Sequence, residues 1–359
     1  MTARAWAELL RVSALFTVPG DALAGAATTG GRPDRGTAFA VGASLCLYEA
    51  GMALNDWADR DEDAVDRPHR PIPSGRIAPG AALVAAGALT AAGLGLAGCA
   101  GRRPLAVATA LTATVWAYDL RLKHTPAGPA AMAAARSLDL LLGATATGTA
   151  RGNPGPRPHR SPGPDRNPGP TARRAVRGFA RGSVRDALGA AAALGAHTYA
   201  VTTVSRHEAR GGSTAVPLAA LTAVAVLGAA TARGRRRARD ITAVPEQRRA
   251  RGATAAPEQR SLTPASRTTA PTASRRIPAS RVLPAVLGAV YVRTAAGPLA
   301  HAALNPSPPL TQRAVGGGIR AMIPLQAALA ARSGAVGAAA AVMGLVPLAR
   351  TLARKVSPT

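Results

Sequence analysis

The chain has 359 residues, 47% of them hydrophobic, a mean hydropathy of +0.09 and a formal charge of +26 from 44 Lys and Arg against 18 Asp and Glu. Its two cysteines, Cys46 and Cys99, both lie in apolar runs, which excludes a disulfide framework and a cysteine metal cluster. The average hides two kinds of segment: runs of Ala, Leu, Val and Gly approaching the ~20 residues needed to cross a bilayer, and Arg/Pro/Gly-rich stretches that carry much of the charge.

Met1 to Arg11 is short and mixed, so no secretory signal peptide is expected. Leu9–Ala27 is predicted to be a first span, interrupted by Pro19, Gly20 and Asp21. Asp21 either faces a cavity or marks a break in the helix. A polar link leads to a second span, Thr37–Leu54, in which Glu49 is a candidate member of the same polar chamber.

Directly after this span comes NDWADRDEDAVDRPHRPIPSGRI, Asn55–Ile77. Asp56, Asp59 and Asp63 fall at i, i+3 and i+7, on one face of a continuing helix, with Asn55 one turn before Asp59. Three carboxylates on one face repel unless a cation sits between them. Mg²⁺ suits such oxygens and usually keeps water or phosphate as its other ligands. Arg67, Arg70 and Arg76 follow, guanidinium forks suited to phosphate. The pattern predicts a Mg²⁺–diphosphate site at a membrane surface. The plain alternative, a solvated acidic loop, is weakened by the apolar run before it and the RPIPSG after it.

Pro79–Cys99 and Pro104–Leu120 are predicted as the third and fourth spans, the latter ending in WAYDLRLK, Trp116–Lys123. On their own, Tyr118 and Lys123 read as an interfacial aromatic and a snorkelling lysine. Gly128–Ala150 is a fifth span. Its Arg136 and Asp139, at i and i+3, are expected to neutralise each other, with a cavity role as the other reading. Residues 151–185 are so rich in Pro, Gly and Arg that a disordered loop insertion is expected.

A sixth span, Ala187–Val204, ends in SRHEARGG, Ser205–Gly212. A seventh is Ala215–Ala232. Residues 233–281 return to low complexity and read as a second disordered insertion. They lack the aromatics that nucleic-acid binding would use, so no nucleic-acid partner is expected. Val282–Ala303, Gly316–Ala331 (short, with Pro324 inside it) and Ala335–Leu348 complete the helices. Arg320 would reach the headgroups or the chamber. The expectation is an all-α polytopic bundle of about nine membrane spans around a central cavity.

Asn55, Asp56, Asp59 and Asp63, followed by RPIPSG at Arg70–Gly75, resemble the first aspartate-rich motif, NDxxDxxxD, of the UbiA superfamily of intramembrane prenyltransferases. The resemblance is strongest from Ala53 to Ile77 and implies one UbiA-like domain over residues 1–359. It implies Mg²⁺ held by Asn55, Asp56, Asp59 and Asp63. Tyr118 and Lys123 match the Tyr/Lys-containing end of the corresponding helix, which would make them catalytic together with Asp56, Asp59 and Asp63. Asn55, Arg70, Arg206, Glu208 and Arg210 would bind substrate. The implied reaction moves an isoprenoid chain from a polyprenyl diphosphate to an unidentified acceptor, in the cell membrane, with the site facing the cytoplasm.

The sequence departs from the family at its second motif, where Glu208 is the only acid among Arg206, His207 and Arg210. Either Glu208 and His207 hold a second metal weakly, or the arginines neutralise diphosphate directly. The second reading is preferred because Arg binds phosphate without a bridging cation. Aromatics to shield an allylic cation are few: Trp57, Trp116, Tyr118 and Tyr199 are the candidates. The altered motif, the GIRAMIPLQAALAARSG segment and the ARKVSPT ending are similar to the EboC-like bacterial branch. Two rivals are a non-catalytic lipid-binding or transport component and a secondary transporter whose aspartates couple to ions.

Overall fold

The structure is a computed structural model that describes residues 3–11, 17–30, 32–147, 170–208, 212–233 and 279–356, with backbone only for 170–185, 279–281 and 348–356. The described residues form twelve α-helices: α1 Ala3–Leu9, α2 Val18–Thr28, α3 Arg35–Ala58, α4 Arg60–Asp66, α5 Pro79–Ala100, α6 Arg102–Ala117, α7 Gly128–Ala146, α8 Pro170–Ser205, α9 Ala215–Ala232, α10 Ala279–Leu304, α11 Pro308–Arg332 and α12 Val336–Val356. A π-helical turn, Tyr118–Leu122, extends α6. Five helices among these residues are long and apolar enough to cross a membrane: Arg35–Ala58, Pro79–Ala100, Ala215–Ala232, Val282–Leu304 and Pro308–Arg332. An all-helical membrane bundle is thus what the chain forms, while the expected nine spans are not matched helix for helix.

The ends of α3 follow from local chemistry. Asp34 and Thr37 close a capping box at its N-terminus. Thr37 also meets Thr147, just past α7, at 2.9 Å. Pro at the first turn starts α2, α5, α7 and α11, where a missing N–H costs nothing.

Two apolar clusters share α2 and α7. One joins them to α8, α9, α10 and α11 around Leu194, Tyr291, Leu299 and Leu325. The other joins them to α3, α5 and α6 around Leu47, Leu111 and Leu142. The two central helices cross through glycines. A Cβ on Gly25 would lie 1.9 Å from the Leu140 carbonyl oxygen, and one on Gly143 would lie 2.0 Å from that of Ala22. Small residues of this kind let helix backbones approach closely in lipid. Helix α11 is the innermost, with every residue from Ala321 to Ala331 buried.

Several expectations are corrected. The first span is two pieces: α1 ends at Leu9 and α2 starts at Val18, with Arg11 at φ 49° between them. Helix α8 starts at Pro170, inside the insertion expected to be unstructured. The Ala/Arg-rich sequence that follows Pro170 favours a helix. Residues 151–169 and 234–278 of the two insertions lie outside the described residues. Helix α11 runs from Pro308 straight through Pro324 instead of starting at Gly316. Arg136 and Asp139 do not pair with each other. Arg136 binds Asp21 of α2 at 2.5 Å, and Asp139 accepts from Ser44 of α3 at 2.6 Å. Gln326 of α11 also donates to Asp21, at 2.6 Å. A buried acid within a bundle is stabilised by a cation on another helix as well as by a sequence neighbour, and here the partner of Arg136 lies on another helix. This settles the two readings of Asp21: it lies buried inside α2, where it holds α2 to α7 and α11.

Candidate active site

The site is built where the chain leaves α3. Asp59 is the hinge between α3 and α4. The backbone bonds Asp59 N–H to Asn55 O at 3.0 Å and Asp63 N–H to Asp59 O at 2.8 Å carry the helical register across it. The loop after α4 then folds back beneath this corner. Gly75 takes φ 73°, Ile77 N–H bonds to Pro71 O at 3.0 Å, and Ile72 and Ile77 are buried. That return places Arg70 against the helix it followed.

The three motif aspartates do not all point to one spot. Asp56 and Asp63, both buried, share Arg70, whose guanidinium donates to Asp63 at 2.7 Å and to Asp56 at 3.4 Å. Arg11 adds a second cation to Asp56 at 3.0 Å, and Arg67 approaches Asp63 at 3.5 Å. Asp59 turns the other way and pairs with Lys123 at the end of the π-helical turn. Asn55 donates to Asp119 at 3.2 Å. Among the described residues, the acid and histidine atoms that gather within 4.8 Å are those of Asp59, Glu62 and His124.

Other loops close over the same end of the bundle. Arg206, just after α8, donates to the Thr125 carbonyl at 2.5 Å. Gly212 N–H bonds to Pro306 O at 3.0 Å, bringing in the α10–α11 connection. Glu208 is half-buried; burial pushes its carboxyl up, opposed by the Arg67 charge. Tyr118 lies within electrostatic reach of Asp119, Asp59 and Arg206. The predicted residues Asn55, Asp56, Asp59, Asp63, Arg70, Tyr118, Lys123, Arg206 and Glu208 are therefore near one another, whereas Arg210 lies outside the described residues.

Other expected members are elsewhere. Arg76 forms a two-pronged pair with Glu8 at 2.7 and 3.0 Å, so it ties α1 to the loop. The hydrogen bond from Arg76 holds the Glu8 carboxyl below its ordinary value, against partial burial. Trp57 stacks under Arg60 at 5.0 Å, and Trp116 donates to Thr90 at 3.3 Å. Tyr199 is 48% exposed, and Arg320 is exposed. Tyr118 is thus the one aromatic of the four candidates beside the carboxylates.

Sequence reasoning missed Arg11 and Asp119. Arg11 is a single basic residue before an apolar run, and Asp119 sits inside the YDLRLK ending, so both had a signal in hindsight.

The donors on Asn55, Asp56, Asp59, Asp63 and Glu62 are oxygens, the ligand type that Mg²⁺ takes, and each motif carboxylate is already balanced by a cation. The oxygen donor set therefore suits a hard divalent cation, and to hold one together the acids would have to leave their present cation partners. The model of the UbiA prenyltransferase family matches residues 13–234, more than half of the chain. Digeranylgeranylglyceryl phosphate synthase from Methanopyrus kandleri strain AV19 is 39% identical over 128 residues, 34% of this chain and 45% of that protein. The chain thus matches less than half of that relative's length. The apo structure of a UbiA homologue from Aeropyrum pernix K1 shares the fold at a TM-score of 0.54 and 14% identity, over 88% of this chain and 96% of that one. A structure of digeranylgeranylglyceryl phosphate synthase shares it at 0.50 and 14%, over 93% and 98%.

Proposed function

The chain belongs to the UbiA prenyltransferase family, and from that premise we propose that it is an integral membrane prenyltransferase. It transfers an isoprenoid chain from a polyprenyl diphosphate to an acceptor, with Mg²⁺ as cofactor, at the cytoplasmic face of the cell membrane. The observation that carries this reading is the interleaving of acid and base. Asp56, Asp59 and Asp63 are each matched by Arg11, Arg70 or Lys123 within one loop cluster.

Bound between Asn55, Asp56, Asp59 and Asp63, Mg²⁺ would supply positive charge to the diphosphate oxygens as the allylic C–O bond breaks. The protein's own part is positional. Arg11, Arg70 and Lys123, which pair with Asp56, Asp63 and Asp59, stand where they would donate to the phosphates of a bound diphosphate. Arg206 stands beside the Lys123 loop and takes the place that a second acidic motif would fill. Tyr118 supplies an aromatic face and a hydroxyl at the same edge.

The test is Mg²⁺-dependent binding of labelled geranylgeranyl diphosphate to the full chain in detergent, with Asp59→Ala as control. Binding that needs both Mg²⁺ and Asp59 is expected. Binding indifferent to both would move the protein to a non-catalytic lipid-binding role.

A further inference from the structure

Six carboxylates are buried among the described residues, and five of them have a protein partner. Asp21 is held by Arg136, Asp56 by Arg11, Asp63 by Arg70, Asp119 by Asn55 and Asp139 by Ser44. Glu49 is the sixth. It is 9% exposed, and neither of its carboxylate oxygens makes a hydrogen bond. A buried carboxyl with both oxygens unpaired is costly, so it is kept where something other than the protein completes it.

Position says what that partner would be. Glu49 lies on α3 seven residues before Asp56, which is two turns away on the same helix face, about 10 Å along the axis. It therefore lies further back along α3 than the cationic loop cluster, in the direction that the organic part of a substrate would extend on the prenyl-transfer reading. Arg70 and Lys123 serve the phosphate end and are engaged by Asp56, Asp59 and Asp63. None of them forms an ion pair with Glu49.

We propose that Glu49 is the catalytic residue for the acceptor: it receives an O–H of the acceptor and takes its proton during transfer. This rests on the prenyl-transfer reading above and adds the acceptor class, a hydroxyl nucleophile such as an alcohol or phenol. In the step, the prenyl C1–O bond to diphosphate breaks and both electrons leave with the diphosphate. A lone pair of the acceptor oxygen forms the new C1–O bond. The hydroxyl proton passes to the Glu49 carboxylate, which later gives it up to water.

The experiment uses the full chain in lipid nanodiscs with Mg²⁺, labelled geranylgeranyl diphosphate and two probe acceptors, geranylgeraniol and 4-octylphenol. Three quantities are read for wild type, Glu49→Gln and Glu49→Asp: donor binding, ether product, and carbodiimide labelling of Glu49 by mass spectrometry. Glu49→Gln is expected to bind the donor with an unchanged Kd while product falls at least 100-fold. Glu49→Asp should recover part of that loss, and an active acceptor should protect wild-type Glu49 from the carbodiimide. The assignment is overturned by wild-type product yields in Glu49→Gln, by labelling that no acceptor slows, or by a donor-binding wild type that uses neither probe. Failure of wild-type protein to bind the donor at all would overturn the prenyl-transfer reading itself, and this proposal with it.

Discussion

Arg70 donates to Asp63 at 2.7 Å from a loop that has turned back on its own helix, and the same nitrogen reaches Asp56 at 3.4 Å. One guanidinium thus bridges two acids that are two helical turns apart. Arg70→Ala should leave Asp63 with Arg67 and Asp56 with Arg11, so stability falls by only about 1–2 kcal/mol. Donor binding should weaken tenfold or more. Arg70→Lys should not restore it, because a point charge cannot span both acids. Thermal melts and donor Kd values measured side by side separate the two effects.

Asp59 and Lys123 form the second acid–base pair of the site. Asp59→Ala and Asp56→Ala should each abolish turnover and leave the protein folded in membranes. Chelating Mg²⁺ should reproduce the loss in wild-type protein. Lys123→Ala removes a charge-assisted contact worth about 1.5–3 kcal/mol, which corresponds to roughly a tenfold to hundredfold weaker donor Kd. Undiminished turnover in the aspartate variants would remove the metal assignment.

Arg76 should behave unlike Arg70. Its partner is Glu8, and both side chains are near 40% exposed, so Arg76→Ala should cost only about 0.2–1 kcal/mol and leave donor binding unchanged. The Glu8 carboxyl titrates below its ordinary value in the folded chain. The pair's contribution is therefore present above that ordinary value and is lost as the pH falls through the folded one. A melting series carried from neutral pH to below the ordinary carboxylate value of 4.5, comparing wild type with Arg76→Ala, should show the two curves converging only at the acid end.

Arg136 neutralises the fully buried Asp21. Arg136→Ala leaves that acid without its cation and should destabilise the bundle by about 3–5 kcal/mol. Adding Asp21→Asn should recover part of the loss, which a double-mutant cycle in detergent measures. No recovery would mean that the pair is not the source of the effect.

Gly25 and Gly143 set the spacing of α2 and α7. Because a methyl group at either site meets backbone, Gly25→Ala should cost about 1–3 kcal/mol or more and lower the yield of folded protein. Unfolding in graded SDS is the check.

The sequence alone carried most of the helices, the place of the aspartate motif and the family, because each is a local pattern. Apolar length, a Pro or Asp at a helix start and a seven-residue acid spacing are all visible without knowing what lies across the bundle. Which cation meets which carboxylate was not visible. Arg136 chose Asp21 over its neighbour Asp139, Arg76 chose Glu8 over the phosphate end, and Arg11 joined Asp56 from 45 residues away. Nor could spacing say that the chain would turn at Asp59 and send that acid toward Lys123 instead of alongside Asp56. A charge in a membrane bundle is stabilised by whatever opposite charge the helix crossings bring within about 4 Å. Those crossings are fixed by small residues such as Gly25 and Gly143, which only the tertiary structure places against their partners.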